Sequence, residues 1–410
     1  MPGDVPAAPA LARVLSLPLL VLYGLGVTIG AGIYVLIGAA AGRAGIHAPA
    51  AFVLAAVAMG FSAASFAELS TRLPVSAGEA AYVRAGLGSA RLALLTGLLV
   101  VVSALVSSAA ITIGGIGYLR EFVPLPETML VVLVLLLLGG AAAWGVLESV
   151  SFASLFTVIE VAGLLVIIGA GLWQQPDILL RLPEILPSPR DSAALSAVAA
   201  TSLLAFFAFI GFEDLVNLAE EARDPVRDMP RAIFVTLIGA TVIYVLVVFV
   251  AVSAVPNDEL AKSNAPLSLV FERLTGASPA IVTAIAIVAT FNGVIVQIVM
   301  ASRVLYGLSA QRDLPAWLGV VDARTRTPLR ATALVVLATM SLALFLPLGQ
   351  LAQWTSQIIL TVFTLVNLSL LRMKLTGAVD SPAAFAVPFW VPLIGAIVSV
   401  AMLATGWLLD

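Results

Sequence analysis

Among its 410 residues the chain has no cysteine and one histidine, and only 10% are charged. Without cysteine there can be no disulfides, thiolate metal sites or cysteine nucleophiles. A lone His47 leaves no H-E-x-x-H motif and no plausible Ser/His pair, and it lies between an apparent helix end and a proline, as a loop residue would. The phosphate-cradling G-x-x-x-x-G-K-[ST] loop is missing too, so this chain alone gives no support for ATP-driven pumping. A net charge of −3 gives no sign of nucleic-acid binding. These absences argue against an enzyme, and no cofactor or metal is expected.

What the chain has is apolar length. It is 61% hydrophobic, with a mean hydropathy of +1.13, whereas soluble domains are about 45–50% apolar and about 25% charged. Too little polar surface exists to clothe a water-soluble globule, so lipid must be the solvent. The first apolar run exceeds the roughly 7–15 residues of a signal-peptide core and reads as a retained span. Runs long enough for a hydrocarbon core of about 30 Å recur down the chain. Eleven are expected, at 17–41, 48–70, 92–119, 128–146, 150–173, 197–219, 231–255, 278–308, 331–347, 351–372 and 388–409. The run at 351–372 carries Trp354, Gln357 and Asn367 and has the weakest pattern. Short alternating strands are absent, which argues against an outer-membrane barrel.

Most of the 20 Lys and Arg residues fall in loops on the side of the N-terminus, among them Arg72, Arg84, Arg91, Arg223, Arg227 and Arg231. By the positive-inside rule the N-terminus is cytoplasmic, in a cell (inner) membrane protein.

Two spans are interrupted. The first contains "GVTIGAGIYVLIG" (26–38), with Gly30, Ala31 and Gly32 at its middle. The sixth, "LLAFFAFIGFEDLVNLAEEARDP", meets Gly211 and then Glu213 and Asp214 at a depth where lipid disfavours charge. Broken helices five spans apart imply two halves of opposite topology, the sequence pattern of a secondary transporter with a midplane site. The other reading of the first span is a small-residue packing face through Gly26 and Gly30, or Gly38 and Gly42.

"GVTIGAGIYVLIG" resembles the first-helix signature of the amino acid–polyamine–organocation (APC) superfamily. "RLPVSAGEAAYV" is similar to that family's Pro-x-Ser-Gly-Gly-x-x-Tyr loop, with Ala77 replacing a glycine. "FFAFIGFEDLVNLAEEARDPVRDMPRAI", "SRVLYGLSAQRDLPAWLGVVDARTRTP" and "FAVPFWVPLIG" resemble its sixth helix, eighth-helix exit and eleventh-helix entry. The resemblance implies an all-α integral membrane fold of eleven transmembrane helices in a five-plus-five inverted repeat of the LeuT type. Helices one and six would be broken. The divisions would be a cytoplasmic segment (1–16), a first repeat (17–173), a second repeat (197–373) and an extra helix (388–410).

The chemistry of such breaks suits an α-amino acid. Amides freed at Gly30, Ala31 and Gly32 would cradle its carboxylate at a helix N-terminus. Carbonyls of Thr28 and Ile29, and of the stretch Phe207, Ala208 and Ile210, would accept its ammonium group. In the family the residue matching Phe207 is an aromatic lid; packing is the alternative.

Glu213, Asn217 and Glu220 would share a helical face in the cytoplasmic vestibule, with Glu220 and Glu221 pairing to Arg223, Arg227 or Arg231. Glu68 is expected to act similarly.

Glu160 stands mid-span where several relatives carry a lysine. A carboxyl among apolar neighbours costs least when protonated, so Glu160, near Gly26 and Asn292, is a candidate proton carrier. A sodium ligand and a purely structural group are the alternatives. The expected function is amino acid permease activity by alternating access, proton-coupled, with a polyamine or cationic amino acid exchanger and a solute channel as rivals. Neutral substrates are favoured because only Glu213 and Glu160 offer themselves to a cationic side chain.

Overall fold

The computed structural model describes residues 13–408 except 31, 76–77, 145–149, 311, 326 and 378–384. Among the described residues each expected apolar run is mainly helical. The first run forms α1 (Leu17–Ile29) and α2 (Gly32–Ala44), followed by α3 (Ala48–Arg72) and the short α4 (Gly78–Leu87). Next come α5 (Ala90–Leu119), α6 (Glu127–Trp144) and α7 (Val150–Gln174). The second half holds α8 (Ser192–Phe209), α9 (Pro225–Ala254), short α10 (Asn257–Lys262) and α11 (Pro266–Thr275). It continues with α12 (Ala280–Ala310), α13 (Leu329–Phe345) and α14 (Leu348–Thr376), and α15 (Trp390–Leu408) closes the chain.

Eight helical stretches among the described residues are long and apolar enough to cross a membrane. Leu17–Ile29, Leu329–Phe345 and Trp390–Gly406 are apolar but shorter. Large apolar side chains such as Leu137, Trp173 and Phe345 stand exposed on the outside, as hydrocarbon contact requires. Trp144, Trp173 and Trp390 sit at helix ends, where tryptophan anchors a membrane interface.

Local sequence sets the boundaries. The Ser89 hydroxyl accepts from Leu92 N–H at 3.3 Å to cap α5, and Asp191 and Asp224 cap α8 and α9 in the same way. Pro225 starts α9, at a position where a missing N–H costs nothing. The weakly patterned run at 351–372 is the continuous α14. Its Asn367 is buried and satisfied: Oδ1 accepts from Ser65 at 2.7 Å and Nδ2 donates to Ser62 at 2.9 Å, both on α3.

The packing repeats itself when the first five apolar segments are exchanged for the second five. α1 packs on α9 as α8 packs on α3, and α1 on α7 as α8 on α14. α5 meets α14 and α13 as α12 meets α7 and α6. The pairs α5–α12, α3–α9 and α6–α13 map onto themselves, and even the connecting helices follow, with α4 on α14 and α11 on α7.

Candidate functional site

The two breaks pack on each other. α1 ends at Ile29 and α2 begins at Gly32, whose missing side chain leaves room for the Cα of Ala208 at the end of α8. α8 ends because Ile210 turns extended and Gly211 takes φ +126°, a conformation that strains any L side chain. A Cβ on Gly211 would also stand 2.9 Å from the Val27 carbonyl of α1. Each interrupted helix thus offers a glycine to the backbone of the other.

Two expectations about the freed groups need correction. The Gly30 amide is not free, because it donates to Gly26 O at 2.9 Å and extends α1 by one hydrogen bond. The Thr28 carbonyl is also taken. The Tyr244 hydroxyl of α9 stands 2.7 Å from Thr28 O and 2.8 Å from Ala208 O, bridging the carbonyl ends of both breaks. Its single proton bonds one of them at a time. Sequence reading missed Tyr244; the available signal was a tyrosine within an apolar span of a chain that has only six.

After the second break the chain does not resume an α-helix. Phe212–Leu218 is 3₁₀, with three residues per turn, so the shared face proposed for Glu213, Asn217 and Glu220 does not form. Glu213 instead turns back to accept the Gly211 N–H at 2.8 Å, satisfying a donor released by the break. Arg227 pairs with Asp224, and Arg223 Nε donates to Val14 O at 3.1 Å. Glu68 is fully buried; it pairs with Arg72 and Lys374, each at 2.7 Å, and accepts the Val387 N–H, tying α3 to α14 and the entry of α15. His47 closes a short 3₁₀ turn (Gly45–His47) ahead of α3, rather than lying in an irregular loop, and its Nδ1 is bonded to Ile185 O at 3.0 Å.

Between the breaks lies a cavity whose wall includes Gly26, Gly32, Phe207, Ile210 and Asn292, together with Ser107 and Ile111 of α5, Thr157 of α7 and Val296 and Gln297 of α12. Thr28, Ile29, Gly30 and Ala208 stand at the breaks and off that wall. Ala31 lies outside the described residues. Glu160, fully buried on α7, is bonded at Oε1 by Asn292 Nδ2 at 3.3 Å. Its Oε2 has no hydrogen-bond partner among the described residues and faces Gly30. Tyr34 of α2 donates to the Glu160 backbone carbonyl at 2.7 Å, fixing α7 beside the first break. The packing reading of the glycines also holds: Gly26 fits against Thr157 of α7, and Gly38 and Gly42 against Leu260 and Ala261 of α10.

Residues 15–409 match a family model described as amino acid permease. The chain belongs to the amino acid permease family. It is 29% identical over 396 residues to the vacuolar cationic amino acid transporter 2 of Arabidopsis thaliana, covering 91% of this chain and 61% of that protein. Against the branched-chain amino acid permease BcaP of Bacillus subtilis it is 27% identical over 404 residues, covering 92% and 83%. The methylthioribose transporter of the same bacterium is 27% identical over 412 residues, with 94% and 87% covered. The chain therefore spans about three fifths of the plant relative's length. With its long apolar helices, this permease-family chain is a multi-pass membrane protein.

In this permease-family fold the Tyr244→Phe substitution isolates the hydroxyl. The ring keeps its contacts with Phe52 and Phe209, at centroid distances of 5.9 and 4.9 Å. Two buried carbonyls lose their donor, a loss of about 1–3 kcal/mol. The expected result is a lower melting temperature in detergent together with weaker substrate binding. An unchanged affinity would show that the carbonyl ends need no such tie.

Proposed function

We propose that this protein is a secondary transporter that carries an α-amino acid across the membrane by alternating access. The observation that carries the reading is the cavity held between two interrupted helices, each break packed on the other through a glycine. Interrupted backbone at membrane depth is tolerated where it lines such a cavity. Amides at the start of α2 would receive the substrate carboxylate, and the carbonyl end of α8 its ammonium. Gly32, Phe207 and Ile210 on the cavity wall, with Ile29, Ala31 and Ala208 at the breaks, make up the proposed site, and the bonded Gly30 amide and Thr28 carbonyl drop out of it. Ile111, Ile210 and Val296 give the side-chain space an apolar wall, which favours a neutral amino acid.

In this reading the chain crosses the cell (inner) membrane eleven times from a cytoplasmic N-terminus. Residues 17–173 and 197–373 form the inverted repeats, residues 1–16 precede them, and 388–410 add a helix. The reciprocal packing of the two halves supports that division. Glu160, with Asn292 and Gly26 beside it, is the proposed proton site.

Counterflow in proteoliposomes tests the function. A carrier preloaded with unlabelled amino acid accumulates labelled amino acid transiently, whereas a channel does not. Phe207, 3% exposed and on the cavity wall, is the proposed lid. Phe207→Ala is expected to weaken binding by about 1–3 kcal/mol and to accelerate leak. Unchanged affinity and leak would remove Phe207 from the site.

A further inference from the structure

A second cavity adjoins the first on the far side of Ile210 and Gln297, which line both. Three carboxylic acids from two elements open into it: Glu79 of α4, and Glu213 and Asp214 just after the second break. Each is more than nine-tenths buried. None forms an ion pair among the described residues, whereas buried Glu68 gathers both Arg72 and Lys374. Glu213 uses one oxygen on the Gly211 N–H, while the Asp214 carboxyl accepts no hydrogen bond from any described residue. Gln297 is 7% exposed, makes no hydrogen bond to a described residue, and faces the same space. Glu79 lies outside the apolar spans, and burial pushes its carboxyl up to about 7, as expected of an acid buried without a counter-ion.

A protein that buries acids without a basic partner leaves acceptors that a cationic ligand can satisfy. We propose that this inner chamber is a binding site for an organic ammonium group carried on an apolar body and lacking a neighbouring carboxylate. The three acids and the Gln297 amide oxygen receive the ammonium. Val100, Ala104, Ile359 and Val362 supply apolar wall, which suits an alkylamine better than a hydrated metal ion. A carboxylate held beside the amine would face acid oxygens with no basic side chain on the wall to receive it, so an intact α-amino acid head group fits the first cavity better than this one. The chamber is a site of its own and does not depend on the transport reading.

The ammonium therefore belongs to a separate amine and not to the intact amino acid proposed for the first cavity. The test uses isopentylamine, which is leucine without its carboxylate, titrated by calorimetry into purified protein in lipid nanodiscs beside L-leucine. Isopentylamine is expected to bind. Asp214→Asn and Glu79→Gln, nearly isosteric changes on different elements, are each expected to weaken it by about tenfold or more. Melting temperature and gel filtration establish that each variant is folded, and either folded variant suffices for the comparison. Isopentylamine binding is expected to persist at saturating leucine, and displacement by leucine overturns the proposal, because the chamber would then hold an intact amino acid head group. Absence of isopentylamine binding, or binding that both folded variants leave unchanged, overturns the proposal. If leucine fails to bind while isopentylamine behaves as expected, leucine is not the amino acid carried and the chamber stands.

Discussion

Gly32→Ala will abolish transport and destabilise the fold at the same time. The new Cβ would occupy the space of the Ala208 Cα and lie 2.9 Å from the Ala208 Cβ. Relief requires backbone movement, because a Cα cannot rotate away as the end of a flexible side chain can. Overpacking of this kind costs about 1–3 kcal/mol, occasionally more, and here it separates the two helix ends that form the cavity. The expected measurements are no counterflow in proteoliposomes and a lowered melting temperature. Ala208→Gly on the same background should restore part of the stability, since it removes one of the two clashing carbons. Gly60→Ala is the control: nothing lies within 4 Å of a Cβ there, so it should behave as wild type. A Gly32→Ala protein with normal stability and transport would mean that α2 and α8 do not meet as described.

Glu160→Gln separates accumulation from exchange. Glutamine keeps an oxygen for Asn292 Nδ2 and replaces the unpartnered Oε2 with a neutral group beside Gly30. It therefore imitates the protonated acid. If Glu160 carries the coupling proton, the variant will still exchange labelled for unlabelled amino acid, with little dependence on pH. Under an imposed pH gradient, however, it will not raise the internal concentration above the external one. If the carboxylate holds sodium instead, the variant will lose sodium-stimulated binding. Wild-type accumulation by Glu160→Gln would make the residue structural, serving only to join α7 to α12 through Asn292.

The same two residues show where sequence reading reaches its limit. A glycine in an apolar span signals close approach, but one dimension cannot say what approaches. The sequence pointed to a ligand at Gly32; the fold places the Ala208 backbone there, with the cavity alongside. Glu160 was conspicuous because a carboxylate inside an apolar run stands out against its neighbours. Its bond to Asn292, a residue 132 positions away, depends on how α7 and α12 pack.

Composition and hydropathy were enough to place this chain in a membrane, because lipid allows only long apolar helices or closed barrels and the runs are too long for strands. Local chemistry also marked both breaks, since Gly30 to Gly32 and Gly211 before two acids are costly unless helices stop there. The 3₁₀ turn at Phe212–Leu218 was not legible, because Glu213 bends back to the Gly211 amide and that geometry overrides the α-helical period. Nor was the gathering of Glu79 with Glu213 and Asp214, or the placement of Tyr244 between Thr28 and Ala208. Those are long-range juxtapositions. A helix can report its own apolar face through its periodicity, but which face of a distant helix it meets is decided only when the bundle closes.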